Sequence, residues 1–141
     1  MGKNALIGTW RLVSFELRTE NGETTYLWGR DPQGYLIYSQ EGYMSVALSR
    51  AHRPNFASGD QLGASIEEKV DAFDTYTSYA GKYSTKGDKL YHHAELSLLP
   101  NWAGVTLERT FKIEGPRLTI STLPMPVRGE EQTAHLIFER V

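Results

Sequence analysis

The sequence predicts an all-β fold: an up-and-down antiparallel barrel of about eight to ten strands, with one amphipathic helix inserted at about 65–79. Three observations carry this expectation. Short runs rich in Val, Ile, Thr, Tyr and Phe follow one another along nearly the whole chain. Turn-forming residues separate them, with 13 glycines spread through the 141 residues. One segment alone changes from two-residue to helical spacing. Hairpin-linked strands close best as a barrel, because closure leaves no edge of unpaired amides.

The elements follow in order. TWRLVSFELR (9–18) reads as a strand, Asn21-Gly22 as a hairpin turn, and TTYLW (24–28) as the return. A loop over 29–34 carries Asp31-Pro32. YLIYSQ (35–40) and YMSVALS (43–49) then flank a tight turn at Glu41-Gly42. Residues 50–64 are polar and bear Gly and Pro, as a loop does. Ser65-Ile66-Glu67-Glu68 is a capping box, in which the Ser hydroxyl accepts from a free amide and Glu68 reaches back. Ile66, Val70, Phe73 and Tyr76 or Thr77 then recur at helical spacing, a stripe expected to cover an open side or end of the barrel. Strands resume with GKYSTK to residue 86, a turn at Gly87-Asp88, and KLYHHAELSLL (89–99). A loop over 100–104 leads to VTLERTFKI, a turn at Glu114-Gly115-Pro116, RLTISTL, a loop with Pro124, Pro126 and Gly129, and finally TAHLIFERV. The length suits one domain over 1–141, without repeats or linkers.

Composition narrows function mainly by exclusion. A net charge of −2 and the lack of a basic cluster give no case for nucleic acid or an anionic membrane surface. With no cysteine, thiol catalysis, disulfides and thiolate metal sites are removed together, which suits a reducing compartment. MGKNALIGTW has no long apolar run, MGKNAL lacks the Ser or Thr of a myristoylation signal, and no stretch resembles a membrane helix. A cytoplasmic protein is therefore expected. No nucleotide-binding glycine motif and no Gly-x-Ser-x-Gly elbow occurs, so neither a nucleotide cofactor nor a serine hydrolase is indicated, and no cofactor is expected.

The two ends of the chain carry a resemblance. Gly8-Thr9-Trp10 opens the first strand and Phe138-Glu139-Arg140 nearly closes the last. This resembles the lipocalin and calycin pattern, in which the tryptophan plugs the barrel floor and a late basic residue lies over its ring. A guanidinium over an indole gains roughly 0.5–2 kcal/mol. GYLIYSQEGYMSVALSRAHRPNFASGD, YTSYAGKY, HHAELSLLPNWAG and the terminal FERV are similar, over nearly the whole chain, to the small stand-alone lipocalin-like domains of bacteria and fungi. The chain departs from secreted lipocalins in lacking a signal and disulfide, in its mid-chain helix, and in having Phe138 where a tryptophan is expected. The resemblance implies a barrel with a small-molecule cavity more than any particular reaction.

Strand alternation assigns inward-facing polar residues. Leu90, His92, Ala94, Leu96 and Leu98 share one face, and Tyr91, His93, Glu95 and Ser97 the other. His92 and His93 therefore cannot bind one metal together, and no metal site is expected. Leu107, Arg109, Phe111 and Ile113 share a face, so Arg109 points where the hydrophobes point. If Trp10 faces inward, so do Leu12, Ser14, Glu16 and Arg18, while Val13, Phe15 and Leu17 face out. Glu16 then neutralises Arg109 or His92 within the barrel.

Two readings follow for His92 and Arg109: polar anchors of a mostly apolar ligand pocket, or an ion-pair and hydrogen-bond network that only fixes the core. Tyr38, Met44, Trp102 and Phe138 are candidate walls, with Tyr76 or Tyr79 where the helix meets the barrel. The leading functional expectation is binding of a small, largely hydrophobic organic ligand. The alternative is a cofactor-free isomerase, cyclase or dehydratase acting on a polyketide- or terpenoid-like substrate. In it His92 is the acid–base group, Glu16 orients it and Arg109 stabilises a developing enolate or carboxylate. A third reading makes the outward Phe15 face a homodimer contact.

Overall fold

The computed structural model describes residues 3–141. Met1 and Gly2, on which the expectation of no acyl anchor bears, lie outside the described residues. Ten strands form one antiparallel sheet: β1 (Gly8–Thr19), β2 (Thr24–Thr25), β3 (Gln33–Tyr38), β4 (Tyr43–Ser49), β5 (Tyr76–Lys86), β6 (Lys89–Ser97), β7 (Thr106–Glu114), β8 (Arg117–Thr122), β9 (Met125–Val127) and β10 (Glu130–Arg140). Pairing runs β1–β3–β4–β5–β6–β7–β8–β10 and returns from β10 to β1, so that eight strands close into a barrel. β2 and β9 are short additions paired to the far ends of β1 and β10. The tight turns after β3, β5 and β7 gather at one end, the floor. The helix and the longer connections gather at the other, the mouth.

At the floor, Trp10 is fully buried and donates its indole N–H to the Leu6 carbonyl at 2.8 Å. The Arg140 guanidinium lies 4.0 Å from the Trp10 ring centroid and donates to the Ile7 and Ala5 carbonyls at 2.9 and 2.7 Å. Gly8 sits at φ 131°, and a Cβ there would crowd Arg140 Nη1 at 2.8 Å, so both the backbone angle and the space require glycine.

Two β-bulges revise the predicted faces. In β1 the register against β10 slips between Leu12 and Ser14. The extra residue reverses every side chain beyond it. Phe15 and Leu17 therefore enter the core, at 8% and 2% exposure. Glu16 and Arg18 turn outward and pair with each other at 2.9 Å. This corrects the inward placement of Glu16 and removes Phe15 as an outward dimer face. In β6 the bulge falls at Glu95, where Ala80 pairs with Leu96 but Gly81 pairs with Ala94. Leu90, His92 and Ala94 stay inside, whereas Leu96 is 73% exposed. Opposite this bulge a Cβ on Gly81 would collide with the His93 carbonyl oxygen, so only glycine fits.

Helix α1 (Ile66–Asp74) begins at the capping box: Ser65 Oγ accepts from the Glu68 amide at 3.1 Å, and Glu68 accepts from the Ser65 amide at 2.9 Å. Backbone amides of Ser65 and Ala57 hold the Glu68 carboxyl below its ordinary pKa. The helix is shorter than predicted. Its C-terminal carbonyls are taken by side chains from elsewhere, the Trp28 indole on Asp74 at 2.9 Å and Arg53 on Ala72 at 2.9 Å. Tyr76 to Tyr79 then run as strand β5, paired with β4. Nor does the apolar stripe cover the barrel: Ile66, Val70 and Phe73 are 81%, 53% and 45% exposed. Among the described residues no helix is long and apolar enough to cross a membrane.

Candidate functional site

His92, in the middle of β6, faces the barrel interior and is 2% exposed. Both ring nitrogens are engaged: Tyr38 Oη lies 2.7 Å from Nε2, and Tyr79 Oη lies 2.7 Å from Nδ1. Tyr38 comes from the floor end of β3 and Tyr79 from β5, which the short helix has released into strand geometry. Burial pushes the His92 pKa down to about 3, and the nearby positive charge of Arg109 adds to the effect. The imidazole is therefore neutral at physiological pH. Burial also raises both phenols, Tyr38 most strongly, so both are protonated.

Arg109, on the neighbouring strand β7, lines the same chamber, its Cα paired with that of Leu90 on β6. Its positive charge acts on the Tyr79 phenol, partly offsetting the effect of burial, and Nη1 donates to the Glu108 carbonyl at 3.2 Å. Among the described residues no carboxylate forms an ion pair with it. Glu108 alternates to the outside, where it meets Lys89 at 3.8 Å. Glu16, the partner predicted for Arg109, is on the outer face because of the β1 bulge.

A small chamber of about 80 Å³ lies among these residues. Phe15, Leu36, Val46, Ile120, Leu136 and Phe138 supply most of its wall. Tyr79, His92, Arg109, Thr77 and Thr122 supply the polar part. Trp102 and Met125, both half-buried, stand at the mouth, and Trp102 meets Tyr79 edge to face at 5.9 Å.

Of the residues singled out from sequence, His92, Arg109, Tyr79, Trp102 and Phe138 line this one chamber. Tyr38 and Met44 are buried toward the floor, outside its lining, and Tyr38 reaches it only through His92. Tyr76 points outward beneath the Arg53 guanidinium, 5.3 Å from its ring centroid, because alternation in β5 turns Thr77 and Tyr79 inward instead. Phe15 and Met125 are wall residues that alternation alone misses. For Phe15 a signal was present: the apolar residues Trp10, Leu12, Val13, Phe15 and Leu17 change phase once, which is what a bulge leaves in a sequence. His93 is on the outer face, between the hydroxyls of Ser84 and Thr106. No group of three or more metal-ligating side chains occurs among the described residues.

A family-wide profile for the lipocalin-like domain matches residues 7–141. The chain belongs to the lipocalin-like domain family. A relative similar to it is the 4'-hydroxy-3'-methoxypropiophenone carrier protein of Aspergillus oryzae, 31% identical over 107 residues, spanning 70% of this chain and 96% of the carrier. Among solved structures, a lipocalin-like protein from Bacteroides uniformis aligns over 96% of this lipocalin-like chain and 98% of its own, at 15% identity and a TM-score of 0.49. A mutant of the fluorescent protein UnaG aligns over 98% and 97% at 12% identity and a TM-score of 0.42.

Proposed function

We propose that the barrel binds and carries a compact, largely hydrophobic organic molecule in its cavity, with the polar group of that molecule held by Arg109. The observation that carries this reading is a guanidinium with no carboxylate partner among the described residues, on the wall of a mostly apolar chamber. Such a charge is costly to shelter unless something accepts its hydrogen bonds. A related protein named as a carrier of an aryl alkyl ketone supports the same use of the fold. The environment of His92 favours a carrier over an acid–base enzyme: both ring nitrogens are spent on tyrosines and the ring resists protonation. A base that cannot accept a proton near neutrality contributes nothing to proton abstraction.

Native mass spectrometry of the purified protein, together with titration of an environment-sensitive hydrophobic dye, tests the proposal. Wild type is expected to carry a small molecule or to take up the dye. Arg109→Ala is expected to weaken capture of a polar-headed ligand by about 10- to 100-fold, the worth of a hydrogen bond to a charged group. A wild type that carries nothing and takes up no dye overturns it.

A further inference from the structure

Counting protons around His92 tells which way its hydrogen bonds run. Among the described residues the fully buried Tyr38 hydroxyl has one hydrogen-bond partner, His92 Nε2, at 2.7 Å. A buried O–H that donates to nothing is costly, so Tyr38 donates to Nε2. Neutral imidazole carries one N–H, which must then be on Nδ1 and must donate to Tyr79 Oη, 2.7 Å away. Arg109 has only donors and so offers the Tyr79 hydrogen no acceptor. The Tyr79 oxygen accepts from His92 Nδ1, and its own hydrogen is left with no acceptor among these groups. Tyr79 lines the cavity, as does Arg109.

We infer that Tyr79 and Arg109 together form a two-donor clamp for one sp² oxygen of the ligand, a carbonyl or carboxylate oxygen, with Tyr38 and His92 as the positioning residues that release the Tyr79 proton toward the cavity. This rests on the proposed carrier reading and sharpens it. The polar end of the ligand must accept twice, as a ketone or carboxylate oxygen does with its two lone pairs. A hydrocarbon of the same shape leaves the Tyr79 hydroxyl and the guanidinium unanswered, and the site selects against it for that reason.

The test has two independent arms. Long-range ¹H–¹⁵N spectra of the wild-type protein read the His92 tautomer directly, and the proton is expected on Nδ1. A proton on Nε2 overturns the inference, because Tyr79 would then spend its hydrogen on the ring. In the second arm, four one-ring probes are titrated: propiophenone, benzoate, 1-phenylpropan-1-ol and n-propylbenzene. The ketone or the carboxylate is expected to bind at least about 10-fold more tightly than the hydrocarbon. Tyr79→Phe is expected to erase much of that preference while binding n-propylbenzene at least as tightly as wild type does, because the unanswered hydroxyl is gone; an unchanged circular-dichroism spectrum shows that the variant is folded. Equal affinity for all four probes, or a preference untouched in Tyr79→Phe, overturns the clamp and leaves the carrier reading standing. Failure of every probe to bind overturns the clamp, and together with no co-purified ligand and no dye uptake it overturns both.

Discussion

His92 is a histidine made to behave as a neutral core residue. Its pKa of about 3 in the folded protein is far below the ordinary 6.5. Between those values the unfolded chain binds a proton that the folded one refuses, so stability falls as pH drops through that window. Each unit of pH there costs up to about 1.4 kcal/mol. Urea unfolding at pH 7 and at pH 4.5 should show wild type losing about 2–3 kcal/mol more than His92→Gln, which has no such proton to refuse. An equal loss in the two proteins would show that burial is not what holds the ring neutral. At this scale the sequence was informative about His92 and Arg109, because period-two alternation points both inward; Tyr79 was expected at the helix–barrel junction and Trp102 in a loop, and both also line the chamber. Alternation could not show that Tyr38 and Tyr79 would take both imidazole nitrogens. That contact joins three strands and depends on their register, which no single segment encodes.

Among the elements, the strands were legible and their irregularities less so. A bulge is one residue long, yet the β1 bulge exchanged Phe15 and Leu17 for Glu16 and Arg18 inside the barrel. The capping box fixed the start of α1 unambiguously, because it is a local hydrogen-bond pattern. The helix end was not local: Trp28 and Arg53, remote in sequence, take the carbonyls that would have continued it. The helical stripe also misled, since periodicity reports that a face is apolar and not that it is covered. Replacing Val70 and Phe73 by Lys should therefore change the unfolding free energy by no more than about 0.5 kcal/mol each. A helix packed on the barrel mouth would lose about 2 kcal/mol or more, and urea unfolding of the two variants separates the cases.

For the whole molecule, closure depends on β1 and β10, the first and last strands of the barrel. Arg140 fastens that seam through two carbonyls and the face of Trp10. Arg140→Ala should cost about 1–3 kcal/mol in urea unfolding while leaving the chamber, which lies toward the other end, able to bind. Loss of binding at full stability would show instead that floor and chamber are coupled. The overall barrel was legible because each hairpin announces itself through its turn, and because closure is the general answer to unpaired edges.

The seam has a consequence in time. Its fastening bond joins residues 133 apart, and Leu12 pairs with Phe138 within it. Contacts so distant form late, since the chain must surrender loop entropy before they give anything back. On the ribosome the first strand must wait, its apolar face unsheltered, until the last has emerged. Phe15 and Phe138 stand on the two sides of this seam, and both line the chamber. The chamber wall is therefore incomplete until the final strand docks against the first.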